Sequence, residues 1–159
     1  MQYFTLLKAF PNGGRVELMD GFVKKSDYED LLLIANFFAQ QGHLVLIPTE
    51  VHYKDAKYRQ IFGSLMGTVY ERKCPDLSID GEFYEYESYV PPFKKEKISN
   101  MMSAGFKQSA RIIINNGGAD DNFIQKCILN RINEKTFLYN IDEVWLLESG
   151  KIRLLYKQQ

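Results

Sequence analysis

One segment, Pro75 to Glu87 (PDLSIDGEFYEYE), constrains the fold of this chain more than any other. Asp80-Gly81 separates two short strand-forming runs, Leu77 to Ile79 and Glu82 to Glu87. An Asp-Gly pair accommodates the two positive φ angles of a two-residue turn, so the spacing predicts a tight antiparallel hairpin. Side chains alternate across a strand, which puts Glu85 and Glu87 on one face and Tyr84 and Tyr86 on the other. Glu82, at odd spacing from that pair, points away from them. The pattern supports two readings. In one, the strand turns its glutamates to water and its tyrosines to the core. In the other, the carboxylates join Asp76, directly after Pro75, as hard oxygen ligands whose mutual repulsion a cation relieves.

The hairpin is flanked by elements that alternate between strand and helix. Tyr3 to Lys8 and Arg15 to Met19 enclose Pro11-Asn12-Gly13-Gly14, an N-terminal hairpin over about residues 1–20. Ser26, with Glu29 three residues on, has the form of a capping box. Leu31, Leu32, Ile34, Ala35, Phe38 and Ala39 then recur at helical spacing up to Gly42. Leu44 to Ile47 and Arg111 to Ile114 are short continuous apolar runs, as expected of buried strands. Ile98, Met101, Met102, Gly105 and Phe106 define a second helical face, and Phe123, Ile124, Cys127, Ile128 and Ile132 a third, over 120–133. Glu143 to Leu147 and Ile152 to Tyr156 form a closing hairpin around Glu148-Ser149-Gly150-Lys151. The stretch from Thr49 to Lys73 scatters its aromatics among charges and is expected to be a long, partly ordered loop, of the kind that is more often functional than idle. The order predicts an α/β fold with a mixed sheet and flanking helices, not a purely parallel one.

At 159 residues and 45% hydrophobic, the chain has the size and core of one domain. Its 20 basic and 20 acidic residues cancel, so no overall field draws it to a polyanion or a membrane. Any nucleic-acid contact has to use a local patch. Cys74 and Cys127 have no metal or disulfide spacing and are expected to be free thiols. The N-terminus lacks the pattern of a signal peptide and no run of about 20 apolar residues occurs, which points to a cytoplasmic protein.

Pro75-Asp76, followed by Glu85-Tyr86-Glu87, resembles the P-D... (D/E)-x-K hairpin of the restriction-endonuclease-like superfamily. The wider order resembles the C-terminal tRNase toxin domain of CdiA-type contact-dependent inhibition proteins, from roughly Glu29 to the C-terminus. The residues that carry it are Ala35, Ala39, Gly42-His43, Val45, Ile47-Pro48 and Glu50, the hairpin, Lys107-Gln108-Ser109-Ala110, and Ile141-Asp142-Glu143-Val144. The resemblance implies a restriction-endonuclease-like fold and cleavage of RNA, with Mg²⁺ or Mn²⁺ held by Asp76 and Glu85. Glu87 stands where the superfamily has lysine, and a carboxylate cannot supply that positive charge. Glu87 therefore binds metal or helps orient water, and Lys107 is a candidate to restore the cation. The superfamily's further acid, usually on its first helix, has three candidates here: Glu29, Asp30 and Glu50.

Lys94, Lys95 and Lys97, followed by Lys107 and Arg111, form the chain's local basic cluster, either a solvated helix start or a phosphate grip beside stacking residues Tyr89 or Phe93. His43 is expected to be structural, and His52 is a candidate general base for metal-free RNA cleavage. Asn115-Asn116-Gly117-Gly118 is an ordinary turn, since Asp120 and Asp121 would repel a phosphate there. The expectation is a metal-dependent nuclease acting on RNA such as tRNA. The alternative is a catalytically silent domain of the same fold that binds nucleic acid or a protein partner, within a mobile-element or toxin system where an inhibitor protein is the expected companion.

Overall fold

The computed structural model describes residues 2–159. The elements in chain order are β1 (Phe4–Ala9), β2 (Arg15–Met19), α1 (Tyr28–Ala39), β3 (Leu44–Ile47), α2 (Ala56–Phe62), a 3-10 turn (Gly63–Leu65), β4 (Leu77–Ile79), β5 (Glu82–Glu87), α3 (Glu96–Phe106), β6 (Arg111–Asn115), α4 (Asp121–Ile132), β7 (Glu143–Glu148) and β8 (Lys151–Lys157). They gather into two compact units, the first running to Tyr84 and the second from Glu85 to the C-terminus. Parallel and antiparallel pairings occur in both, so the α/β class with mixed strand pairing holds.

In the first unit, β1 pairs antiparallel with β2, and β2 pairs parallel with β3 after the α1 crossover. β3 pairs antiparallel with β4, and β4 with the first half of β5. The hairpin turn forms as the Asp-Gly pair dictates, with φ of 49° at Asp80 and 87° at Gly81. Asp80 also clips the turn to β3: its carboxylate accepts from the Leu44 amide at 2.8 Å and meets His43 Nδ1 at 2.6 Å. His43 thus has a structural task. Phe38 of α1 packs on Tyr84, ring centroids 6.0 Å apart, while Phe62 of α2 packs on Phe83 at 5.4 Å. Successive residues of β5 therefore serve the two helices. Gly14 permits a further close approach, because a Cβ there would lie 1.6 Å from the backbone oxygen of Ala39.

The segment expected to be a loop, 49–73, contains α2 and the 3-10 turn instead. Asp55 caps α2 by accepting from the Lys57 amide at 2.9 Å, and Tyr58, Phe62 and Leu65 are buried at helical spacing between Lys57, Arg59 and Gln60. Full burial of each large apolar side chain is worth roughly 1.5–3 kcal/mol. The charges on the outer face had hidden a short amphipathic helix. The start of α1 also differs from the capping-box expectation. Its N-cap is Asp27, not Ser26, and no side-chain cap hydrogen bond forms. Packing decides the entry: Tyr28 is buried, its ring 5.5 Å from that of Phe22.

In the second unit, the latter half of β5 pairs parallel with β6, β6 parallel with β7, and β7 antiparallel with β8. α3 and α4 supply the crossovers, and Ile98, Met102, Phe106, Ile112, Ile114, Ile128 and Val144 belong to one continuous core. The last turn of α4 buries Arg131 rather than Ile132, which is 45% exposed. The reason is polar: Arg131 donates to the Cys127 carbonyl at 3.1 Å and to Ser99 and Ser103 Oγ at 2.8 and 2.7 Å, tying α4 to α3. No helix among the described residues is long and apolar enough to cross a membrane.

Candidate functional site

Three chain segments of the first unit meet around a small pocket. The residue before α1 contributes Asp27, the segment leaving β3 contributes Thr49 and Glu50, and the approach to β4 contributes Cys74, Pro75 and Asp76. Two of the acids singled out from the sequence, Asp76 and Glu50, are thereby brought to one place. Pro75 is buried and Asp76 half-buried, so the rigid proline fixes the backbone from which the aspartate projects.

The pocket measures about 30 Å³, close to the volume of one water molecule in the liquid. Asp27 lines it and has a buried oxygen, Oδ1, with no hydrogen-bond partner. A buried carboxylate oxygen in that condition is costly unless a cation or donor reaches it. Lys25 also lines the pocket, and its Nζ stands 3.3 Å from Glu50 Oε1. Both partners are largely exposed, so the pair is worth only about 0–1 kcal/mol and is easily exchanged. Cys74 donates its thiol to the Val51 carbonyl at 3.4 Å, and burial pushes its pKa up, which makes it a structural thiol and not a nucleophile.

The carboxylates of Asp27, Glu50 and Asp76 are oxygen donors of the kind that Mg²⁺ or Mn²⁺ takes. Among the described residues no three His, Cys, Asp or Glu side chains are gathered closely enough to hold a metal ion by themselves. Mg²⁺ does not require that, since it keeps several waters and uses one or two carboxylates with substrate phosphate. The donors therefore fit a partly hydrated ion, not a fully caged one.

The remaining sequence candidates lie elsewhere. Glu29 and Asp30 sit in the first turn of α1 and do not line the pocket; the acid that does is Asp27. Its signal in the sequence was slight, because an aspartate before a helix is ordinarily read as a cap. Glu85 and Glu87 belong to the second unit, half-buried and in register with Ile112 and Ile114 of β6. A Cβ on Gly105 would stand 3.2 Å from Glu87 Cγ, so the stem of that glutamate packs against α3.

Among the basic candidates, Lys94 and Lys107 are exposed, Lys107 at the C-cap of α3. The others have partners. Lys95 lies 4.3 Å over the Phe123 ring, and Lys97 donates to the Val90 carbonyl and, at 2.8 Å, to that of Pro92. Arg111 is held by Glu143 at 3.2 Å and Asp142 at 3.5 Å. His52 accepts the Lys54 amide on Nδ1 at 3.2 Å and does not line the pocket. The 115–118 turn is fastened internally, with Asn116 donating to Glu148 at 2.6 Å.

No family model matches the chain, and no curated protein matches it. Among solved structures, a chain from the CdiA-CT/CdiI toxin and immunity complex of Burkholderia pseudomallei is similar, at a TM-score of 0.49 and 18% identity, covering 88% of this chain and 93% of that one. At that score the likeness carries no weight for fold or activity.

Proposed function

We propose that this chain is a nuclease-type domain of restriction-endonuclease-like descent that hydrolyses RNA phosphodiester bonds with Mg²⁺ or Mn²⁺, and that the Asp76 pocket is where the metal is held. The observation that carries the reading is the pocket itself: Asp27, Glu50 and Asp76 line a volume of about 30 Å³, and one of Asp27's buried oxygens has no partner. Asp76 and Asp27 are the residues that would hold the metal, with water and substrate phosphate completing its shell. The bound metal would supply charge neutralisation at the scissile phosphate. Lys25 supplies the positive charge that Glu87 cannot. Released from Glu50, its ammonium neutralises a phosphate oxygen in a pocket otherwise lined by acids. Glu85, Glu87 and Lys107 do not line this pocket and are separate targets for substitution. A toxin-type nuclease would also have an inhibitor protein as its companion.

The silent-domain alternative draws on Glu87 in the lysine position and on the Lys25–Glu50 pair. Calorimetric titration with Mn²⁺, run beside a tRNA cleavage assay, separates the two. The nuclease predicts metal uptake and cleavage, both lost in Asp76→Asn. Uptake without cleavage at any divalent metal concentration would establish the silent domain.

A further inference from the structure

The chain is neutral overall, so nucleic acid needs a local patch, and the 94–97 cluster has largely committed its cations to the protein's own carbonyls and rings. A different patch is built in the first unit from residues far apart in sequence. His52 stacks on Tyr53, with ring centroids 4.8 Å apart and planes 26° from parallel. The Arg72 guanidinium carbon lies 4.2 Å from the Tyr53 ring centroid, and Lys54 Nζ lies 5.9 Å from it. All four residues are exposed. Exposed planar groups held against one another beside positive charge are what a single-stranded nucleic acid requires, since every base has a π face and every linkage a negative charge.

The patch is pre-set. The 52–55 turn closes with the Asp55 amide donating to the His52 carbonyl at 2.9 Å, and the Lys54 amide holds the His52 ring. The 70–73 turn is anchored by Tyr58, whose hydroxyl donates to the Lys73 carbonyl at 2.7 Å. Within that turn Arg72 has φ of 75°, a conformation that L side chains rarely adopt. Of the acids nearby, Asp55 caps α2 and Glu71 accepts the Gly67 amide, so each already serves a backbone donor.

The same two segments lead to the acidic pocket. Cys74 bonds to Val51, and from there Glu50 in one segment and Asp76 in the other enter the pocket wall. Tyr53 is three residues from Glu50, at most about 11 Å between Cα atoms. We infer that His52, Tyr53 and Arg72 form a stacking platform for an unpaired base of single-stranded RNA, with Lys54 on its phosphate, placing the adjoining linkage at the Asp76 pocket. This assignment rests on the nuclease reading for what happens at the pocket, but not for binding at the platform.

The test measures anisotropy of a labelled single-stranded RNA oligonucleotide in EDTA, where metal-dependent cleavage is off. Tyr53→Leu and Arg72→Ala are each expected to weaken binding about tenfold. Arg72→Lys, keeping the charge but losing the planar fork, should restore only part of the loss. A fully paired RNA of the same length should bind more weakly than the single strand. Wild-type affinity in both Tyr53→Leu and Arg72→Ala, or equal affinity for paired and unpaired RNA, would overturn the platform. Asp76→Asn is the arm that separates the two ideas: full binding without cleavage leaves the platform standing, whereas undiminished cleavage by this variant refutes the pocket and not the platform.

Discussion

The two units treat their charges differently. In the second, arginines are absorbed into structure: Arg111 by Glu143 and Asp142, Arg153 by Asp121 at 2.6 and 2.8 Å, and Arg131 by the serines of α3. In the first, Lys25 keeps only a loose surface pair and Arg72 rests on a tyrosine face. A polar group already satisfied by the fold contributes stability. One left partly satisfied at a pocket is available to a ligand. Density of charge along the chain is therefore a poor guide to function, because two of the adjacent lysines are held by the fold, Lys95 by the Phe123 ring and Lys97 by the Val90 and Pro92 carbonyls.

The largest test of that contrast is chemical. Asp76→Asn should lower cleavage of tRNA by about 100-fold or more, equivalent to roughly 2.7 kcal/mol of transition-state stabilisation, with little change in melting temperature. Arg111→Ala should do the reverse. Glu143, 9% exposed, keeps its bond from Trp145 Nε1 at 2.8 Å but loses its cation, for about 1–2 kcal/mol of stability by denaturant unfolding and no loss of RNA affinity. Weaker RNA binding in this variant would return the interface to the second unit.

A smaller effect concerns the hairpin clip. The bond to His43, and then that from the Leu44 amide, hold the Asp80 carboxyl below its ordinary pKa. Its contribution is thus present above the unfolded-state value, about 3.9, and is lost as pH falls through the depressed folded value. Asp80→Asn should lower stability at neutral pH, where the contribution is fully present, and flatten the acid limb of the stability profile below pH ~4. The smallest expectation is for Lys94→Ala, which should shift neither stability nor RNA affinity by more than about 0.5 kcal/mol. A clear loss of affinity there would blur the contrast between the units.

Much of the fold was legible because its signals are local. Asp80-Gly81 and Ser149-Gly150 announce their turns by backbone chemistry alone, with positive φ at all four residues. Val45 to Ile47 and Ile112 to Ile114 are buried throughout, as an apolar run implies, but Leu44, expected to be buried with them, is 39% exposed. α2 was hidden because one buried stripe, Tyr58 and Phe62, runs through a charged surface helix, and Arg131 took an apolar position because serines on another helix accept from its guanidinium. Asp76 and Glu50 could be named from sequence. That Asp27 and Lys25 join them, and that Arg72 meets Tyr53, depends on which loops the sheet brings side by side, and no local pattern encodes it.

Gly14 has a bearing on ancestry. With 1.6 Å between a Cβ and the Ala39 oxygen, hydrogen is the only side chain the position admits, and that demand is indifferent to whether RNA is ever cut. Lineages that lost their acids would still inherit this glycine, and so would lineages that kept them. Position 14 is where remote kin should be sought, and the acids then tell which of those kin are armed.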